Sequence, residues 1–198
     1  MPKRIDHEAR EIAIGEAAWA VLHREGIRGL SVRNVAAEAG LAVSSLRRNF
    51  PTQQSLILFS LELVMHRARK RIEGLDRGLP DLEYAQAVAE EVLPLDAERR
   101  IEMEVWLALS VGSLNDRELQ NMCATSDQAL QRLCVRLVER LHYGAVGGGK
   151  EASAELEARR LHALLDGLAL QLIRQTAESP ATWACEVVRA HLRGLLTN

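Results

Sequence analysis

Residues 31–50, SVRNVAAEAGLAVSSLRRNF, constrain the fold more than any other stretch of this chain. Ser31 is a suitable N-cap, and the apolar residues after it recur with helical spacing at Val32, Val35, Ala36 and Ala39. Gly40 can end this helix in a tight turn, and a second helix can run from about Ala42 to Asn49. Two short helices joined by a glycine turn form a helix-turn-helix, a unit that reads DNA.

The second of these helices is predicted to expose a small and cationic face. On a helical wheel Leu46 points toward the core, and the residues that point away or lie on the flanks are Ser44, Ser45, Arg47 and Arg48. Small side chains let a helix approach the floor of the major groove, and arginine can bind guanine or a phosphate oxygen. Two surface arginines alone would be ordinary solvated charges, but their place after this turn favours contact with DNA.

The stretch from about Glu11 to Leu61 resembles the DNA-binding head of the tetracycline-repressor-like (TetR/AcrR) regulators. The matching pieces follow in order without a gap: Ala17-Ala18, Glu25-Gly26, Ser31 to Ala36, Ala39-Gly40-Leu41, Leu46, Phe50-Pro51-Thr52 and Leu56. The resemblance implies an all-α fold of about nine helices. It implies a three-helix DNA-binding domain at 1–51, a connecting fourth helix at 52–73, and a ligand-binding and dimerisation domain at 74–198.

By the same resemblance, DNA-binding residues are expected on helices two and three and at the start of helix four: Arg33, Val43, Ser44, Ser45, Arg47, Arg48, Asn49, Thr52 and Gln53. The family usually has tyrosine where this chain has Arg47, and lysine where it has Gln53; both positions typically bind phosphate. Arg47 preserves that role, whereas Gln53 keeps a hydrogen bond and loses a charge. The two departures leave an alternative, a helical small-molecule binding protein with weak or lost DNA binding.

Composition favours an intracellular protein that needs no disulfides. A chain of 198 residues with 47% hydrophobic residues can bury a substantial core. The three cysteines, Cys123, Cys134 and Cys185, form no CxxC pair and suit a reducing compartment. The first ten residues have no apolar signal core, and no uncharged run is long enough to span a bilayer. We therefore expect a cytoplasmic protein that does not associate with membranes.

The charge is unevenly distributed along the chain. Residues 1–74 contain 12 Lys and Arg against 8 Asp and Glu, and residues 75–198 contain 13 against 19. The positive charge therefore lies in the part predicted to bind DNA, and the net charge of −2 does not oppose that function.

Helical periodicity continues through the rest of the chain, with no sustained strand alternation. In the first helix, which Asp6 would cap and Gly26 would end, one face carries Ile14, Ala17, Ala18, Val21 and Leu22. Later helices are predicted at about 82–92, 97–112, 116–143, 152–178 and 181–196.

The last two helices carry apolar or small stripes that are predicted to form a homodimer interface: Leu161, Leu164, Leu165, Gly167, Leu168, Leu172, Trp183, Val187, Ala190 and Gly194. In the resembling family these helices form a four-helix interface between two chains. A small helix-turn-helix also generally needs a two-fold dimer to read its site. The alternative is that both helices only close the core of their own protomer.

The middle helices are predicted to bind a small apolar or amphipathic effector, through residues suited to lining a cavity: Met103, Trp106, Ser110, Met122, Leu133, Cys134, Leu137 and Gln171. Taken singly, any one of these residues is more readily explained as an ordinary core residue than as a ligand contact. By family resemblance, effector binding would release a repressor from a double-stranded DNA operator that is an inverted repeat.

An enzymatic function finds little support in the sequence. Glu139 and His142 form an ExxH pair of the kind found in di-iron bundles, but such sites need a second pair and two further glutamates, and no second ExxH occurs. There is no GxSxG, Walker A or GxGxxG motif. We therefore expect no enzyme, no metal site and no cofactor.

Overall fold

The computed structural model describes the backbone of residues 2–112, 117–143 and 151–196, and the side chains of residues 9–26, 28–111, 117–141 and 154–196. Within these ranges the chain forms nine helices and no strand: α1 Pro2–Gly29, α2 Val32–Glu38, α3 Val43–Asn49, α4 Gln53–Glu73, α5 Asp81–Glu91, α6 Ala97–Gly112, α7 Arg117–Tyr143, α8 Glu151–Arg174 and α9 Thr182–Leu195. The predicted all-α class is confirmed, and most helix ends lie within one residue of their predicted positions.

The first helix departs from its predicted bounds at both ends. It begins at Pro2, so Asp6 lies inside the helix and not at its N-cap; the polar first turns contain no apolar periodicity that could have revealed them. Gly26 has φ 68° and ψ −172°, outside the helical region, and a short helical stretch continues to Gly29. The predicted end is therefore a kink, at a backbone conformation that glycine adopts without strain.

The chain folds into two compact units, and neither is a continuous segment. The N-terminal unit comprises Met1–Arg67 and Glu104–Cys123, and the C-terminal unit comprises Ala68–Met103 and Ala124–Asn198. This division differs from the predicted boundary after residue 51. The reason is that Val105, Leu109 and Leu119 complete the core formed by the N-terminal helices. Helices α4, α6 and α7 each contribute to both units.

The core of the N-terminal unit forms where the apolar periodicity predicts it. The five predicted α1 residues are all buried, together with residues of α2 and α3 that include Val35, Ala36 and Leu46. Leu30, just before α2, is fully buried in the same cluster. Burial of these faces fixes which sides of α2 and α3 remain exposed.

In the C-terminal unit, Arg71 of α4 binds two carboxylates. Its Nη2 and Nη1 donate to the Glu102 carboxylate at 2.8 and 3.0 Å, and its Nε donates to Glu91 at 2.9 Å. Burial alone would lower the pKa of Arg71, but hydrogen bonds and charge from Glu102, and then from Glu91, outweigh it and raise the pKa. Arg71 thereby ties the end of α4 to α5 and α6.

A second arginine closes one end of α8. Arg100 donates to the carbonyl oxygens of Leu172, Ile173 and Gln175 at 3.1, 2.7 and 2.6 Å. The last carbonyls of a helix lack partners within the helix and carry a partial negative charge. Arg100 satisfies three carbonyls at this end, which is consistent with α8 ending at Arg174 and not at the predicted residue 178.

Candidate nucleic-acid interface

The turn before α3 is fixed by local hydrogen bonds. The Ser31 hydroxyl accepts a hydrogen bond from the amide of Asn34 at 3.1 Å, which confirms it as the N-cap of α2. Gly40 has φ 64°, and the Leu41 amide donates to the Ala36 carbonyl at 2.8 Å. Only glycine enters this left-handed region without strain, so the sequence determines the path of the turn.

The position of α3 is set by Leu46, which is 0% exposed. Ser44 and Arg48 are exposed, as the helical wheel predicts, and so are the other residues expected to bind DNA apart from the half-buried Ser45: Arg33, Val43, Arg47, Asn49, Thr52 and Gln53. The helix thus presents a short hydroxyl, an apolar side chain and two guanidinium groups on its outer surface.

At the start of α4, Thr52 is the N-cap. Its hydroxyl accepts a hydrogen bond from the Ser55 amide at 3.1 Å, and the Ser55 hydroxyl accepts one from the Thr52 amide at 3.3 Å. This reciprocal pair resembles a capping box and fixes the first turn of the helix. The helix N-terminus, with its partial positive charge, therefore lies at the exposed residues Thr52 and Gln53.

Arg10, which is not among the predicted site residues, also contacts α3. Its Nη2 donates to the Ser45 hydroxyl at 2.6 Å, over a separation of 35 residues. A signal was present: Arg10 lies four residues before Ile14, so a cation stands on the same helix face as the buried apolar residues.

Within the N-terminal unit, α4 contacts the end of α3 at one place and α1 at another. The rings of Phe50, at the end of α3, and Phe59 of α4 are 4.8 Å apart. Further along α4, the Arg67 guanidinium lies 4.5 Å from the Trp19 ring centroid, and its Nη2 is 3.4 Å from Glu16 Oε1. These contacts make the position of α4 depend on α1 and on the end of α3.

The residues predicted to bind an effector are divided between the two units. In the N-terminal unit, Trp106, Ser110 and Met122 are half-buried. In the C-terminal unit, the structure places the remaining five differently: Met103 and Leu133 are half-buried, Cys134 and Leu137 are buried in the core, and Gln171 is exposed on α8. Because Gln171 is exposed, it does not lie where a polar anchor inside the protein would have to be.

The surroundings of Cys134 keep its thiol buried and unreactive. Burial, and secondarily the negative charge of Asp166, raise the pKa of its thiol to about 12. The thiol is therefore protonated at neutral pH and packs as a small apolar group.

The predicted dimer residues on α8 have two different environments. Leu161, Leu165, Leu168 and Leu172 are buried in the core of their own protomer, and Leu164 is half-buried against it. These leucines form the inner stripe of α8, which packs into the core of the C-terminal unit. Little or none of their surface is therefore exposed to a second chain. The outer stripe of α8 instead carries Gly167 and the 42% exposed Leu170.

On α9 the predicted stripe lies largely on the surface. Val187 is 39% exposed, Ala190 and Gly194 are exposed, and Trp183 is half-buried. A Cβ built on Gly167 or Gly194 would meet no atom within 4 Å. We name the outer surfaces of these two helices, carrying Gly167, Leu170, Val187, Ala190 and Gly194, the α8–α9 face.

In the part of the chain whose side chains are described, no group of three or more His, Cys, Asp or Glu residues is arranged to hold a metal ion. The side chain of His142, from the ExxH pair, lies outside the described residues. None of the described helices is long and apolar enough to cross a membrane.

Comparison with known proteins agrees with this geometry. Residues 14–58 match the family of bacterial regulatory proteins of the tetR type, and residues 82–197 match the C-terminal region of BetI-type transcriptional repressors. The chain belongs to the TetR family of transcriptional regulators. The family resemblance inferred from residues 11–61 is thereby confirmed.

Individual relatives support the same assignment for this TetR-family protein. It is 37% identical over 171 residues to the HTH-type transcriptional regulator PksA of Bacillus subtilis (strain 168), covering 86% of this chain and 82% of PksA. A transcriptional regulator from Rhodococcus sp. Rha1 shares its fold, with a TM-score of 0.79, 24% identity and coverage of 94% and 96%. The multidrug binding protein EbrR, complexed with malachite green, aligns with a TM-score of 0.66, 26% identity and coverage of 92% and 97%. The family and these relatives are regulators or binding proteins, not enzymes.

Proposed function

We propose that this TetR-family regulator is a homodimeric repressor that binds an inverted-repeat DNA operator and is released by a small apolar or amphipathic effector. In this proposal residues 1–51 form the DNA-binding domain, and residues 74–198 bind the effector and a second chain. Helix α4 connects these two parts. The observation that carries the proposal is the outer surface of α3, where buried Leu46 leaves Ser44, Arg47 and Arg48 exposed.

In this proposal α3 enters the major groove. The small Ser44 allows close approach, Arg48 binds the edge of a guanine, and Arg47 binds phosphate in place of the usual tyrosine. Exposed Val43 offers an apolar contact of the kind that suits a thymine methyl group. Arg33 and Asn49 add contacts at the margins of this surface.

The N-terminus of α4 binds a second phosphate. Thr52 caps the helix, and the partial positive charge of its first turn attracts an anion there. Gln53 contributes a neutral hydrogen bond where the family resemblance implies a lysine. This contact is therefore weaker in this chain than in a protein with lysine at that position.

We propose that dimerisation uses the α8–α9 face. Its exposed leucine and valine supply apolar area, and its glycines and alanine leave room for the helices of a second chain to approach closely. Leu161, Leu165, Leu168 and Leu172 support this face from the protomer core and do not contact the partner. The two-fold axis of such a pair would give the operator its inverted repeat.

For the effector, we propose binding beside the half-buried Trp106 and Met122, with Ser110 as a polar contact. A flat aromatic side chain and a flexible thioether suit apolar or amphipathic molecules. The complex of the multidrug binding protein EbrR with malachite green is consistent with a small-molecule ligand. α4 runs from the DNA-binding domain into the C-terminal unit, so it can carry the response. An effector that binds the DNA-incompetent state more tightly than the DNA-competent state lowers operator affinity, by about tenfold for each 1.4 kcal/mol of difference.

The test is a selection of bound fragments from a genomic and a random DNA library at about physiological salt, followed by sequencing. Enrichment of an inverted repeat supports the proposal. Enrichment of a single half-site would contradict the dimer. If folded, effector-free protein enriches no motif, the alternative of a small-molecule binding protein without DNA affinity replaces it.

A further inference from the structure

Arg10 is held on the inner side of the recognition helix by an unusual contact. Its Nη2 donates to the Ser45 hydroxyl at 2.6 Å, and its Nε is buried without a hydrogen-bond partner among the described residues. Burying part of a guanidinium group without full hydrogen bonding carries a cost in stability. The side chain could avoid that cost by extending into water, so its position calls for a functional explanation.

The recognition helix needs a contact of this kind. α3 has seven residues, and its N-cap, Ala42, makes no side-chain capping hydrogen bond. So short a helix has little stability of its own and depends on tertiary contacts for its position. Leu46 anchors it by packing, but packing alone allows small rotations. A hydrogen bond from α1 to the half-buried Ser45 restricts them.

The hydrogen bond also determines what Ser45 can offer to DNA. A serine hydroxyl has one donor hydrogen and can accept through two lone pairs. Arg10 occupies one lone pair with a charged donor, which polarises the hydroxyl and leaves its hydrogen for an acceptor elsewhere. Acceptors in the major groove are guanine N7 and O6, adenine N7 and thymine O4, and phosphate oxygens are acceptors as well.

We propose that Arg10 is a positioning residue for DNA recognition, which fixes α3 and sets the Ser45 hydroxyl as a hydrogen-bond donor to the operator. The inference rests on the proposed DNA-binding function. Arg10 acts through Ser45 and not by holding a phosphate itself. The effects of changing the two residues should therefore not be additive.

The experiment measures the affinity of Arg10→Met, Ser45→Ala and the double variant for a selected operator by fluorescence anisotropy. Each single change should weaken binding about tenfold, and the double change should weaken it no further. The salt dependence of binding should match wild type in all three. Additive losses of about a hundredfold would show that Arg10 acts independently of Ser45. A salt slope lower by about 1.8, which is about 0.9 for each of the two protomers, would show that Arg10 binds phosphate directly; either result would refute the inference. Unchanged affinity of Arg10→Met would refute the inference.

Arg24→Met is the matched control, because Arg24 lies on the same helix and hydrogen-bonds to Glu38 at 3.0 Å on the exposed surface. It removes the same charge and should leave operator affinity within about twofold of wild type. Circular dichroism checks folding, and Arg10→Gln replaces the methionine variant if that protein does not fold. A wild-type protein that binds no DNA refutes the proposed function and this inference together. Wild-type binding with an unaffected Arg10→Met refutes this inference alone.

Discussion

Replacing Arg71 with methionine should destabilise the C-terminal unit strongly, because of the carboxylate that it leaves behind. The Glu102 side chain is 5% exposed. Its two carboxylate oxygens accept hydrogen bonds from Nη1 and Nη2 of Arg71. Methionine fills similar space without a donor, so Glu102 would remain as a buried charge without a hydrogen-bond partner. Glu91 would be less affected, because Arg99 Nη1 also lies 3.5 Å from it.

The expected loss can be estimated from these exposures. Removing one partner of a buried ion pair typically costs about 3 to 5 kcal/mol. The Arg71 side chain is 26% exposed, so water screens part of the interaction, and we expect about 3 kcal/mol, the lower end of that range. For a chain of this size the melting temperature should fall by about 6 to 12 °C.

Urea and thermal unfolding followed by circular dichroism measure this loss. Arg69→Met is the control, because Arg69 is exposed on the same helix two residues earlier and its loss should stay within about 0.5 kcal/mol. A double variant, Arg71→Met with Glu102→Met, should recover much of the stability, because no buried charge remains. Equal stability of Arg71→Met and Arg69→Met would refute this reasoning.

Three further outcomes are expected. Arg48→Ala should weaken operator binding and relax one base position by about 1 to 3 kcal/mol; a base-by-base binding scan with no relaxed position would remove Arg48 from the interface. Gln53→Lys should strengthen binding to all sequences and steepen the salt slope of the dimer by about 1.8, which is about 0.9 for each added lysine, as titrations at several salt concentrations would show. Thiol reagents at pH 8 should label the half-buried Cys123 and Cys185 before Cys134, because Cys134 is 0% exposed and burial raises the pKa of its thiol to about 12; early labelling of Cys134, mapped by mass spectrometry, would contradict this.

The head of the protein could be predicted because its signals are local. Ser31 caps α2 through a residue three positions away, and Gly40 closes the turn through its own backbone angle. The spacing of apolar residues then fixes the inner side of α3, with Leu46 inside. Each of these features depends on neighbours within about one helical turn, which a single sequence displays directly.

The features that sequence analysis did not find depend on distant residues or on a choice between two faces. Arg10 and Ser45 are 35 residues apart, and Arg71 and Glu102 are 31 apart. On α8, a stripe that closes the protomer core and a stripe that could meet a partner both read as apolar. The stronger stripe, which includes Leu161 and Leu165, lies inside the protomer. Periodicity identifies the apolar faces of a helix, but it does not show whether the same chain or a second chain covers each face.

The interleaving of the two units has a consequence for protein engineering. A simple chimera of this protein would exchange its N-terminal DNA-binding region by a single cut after α4. In this chain such a graft would leave behind Val105, Leu109 and Leu119, which are at most 3% exposed and lie in the core of the N-terminal unit. A transplanted head would meet foreign side chains at those positions. A modular swap should therefore carry residues 104–123 along with the head, as a second, separate insert.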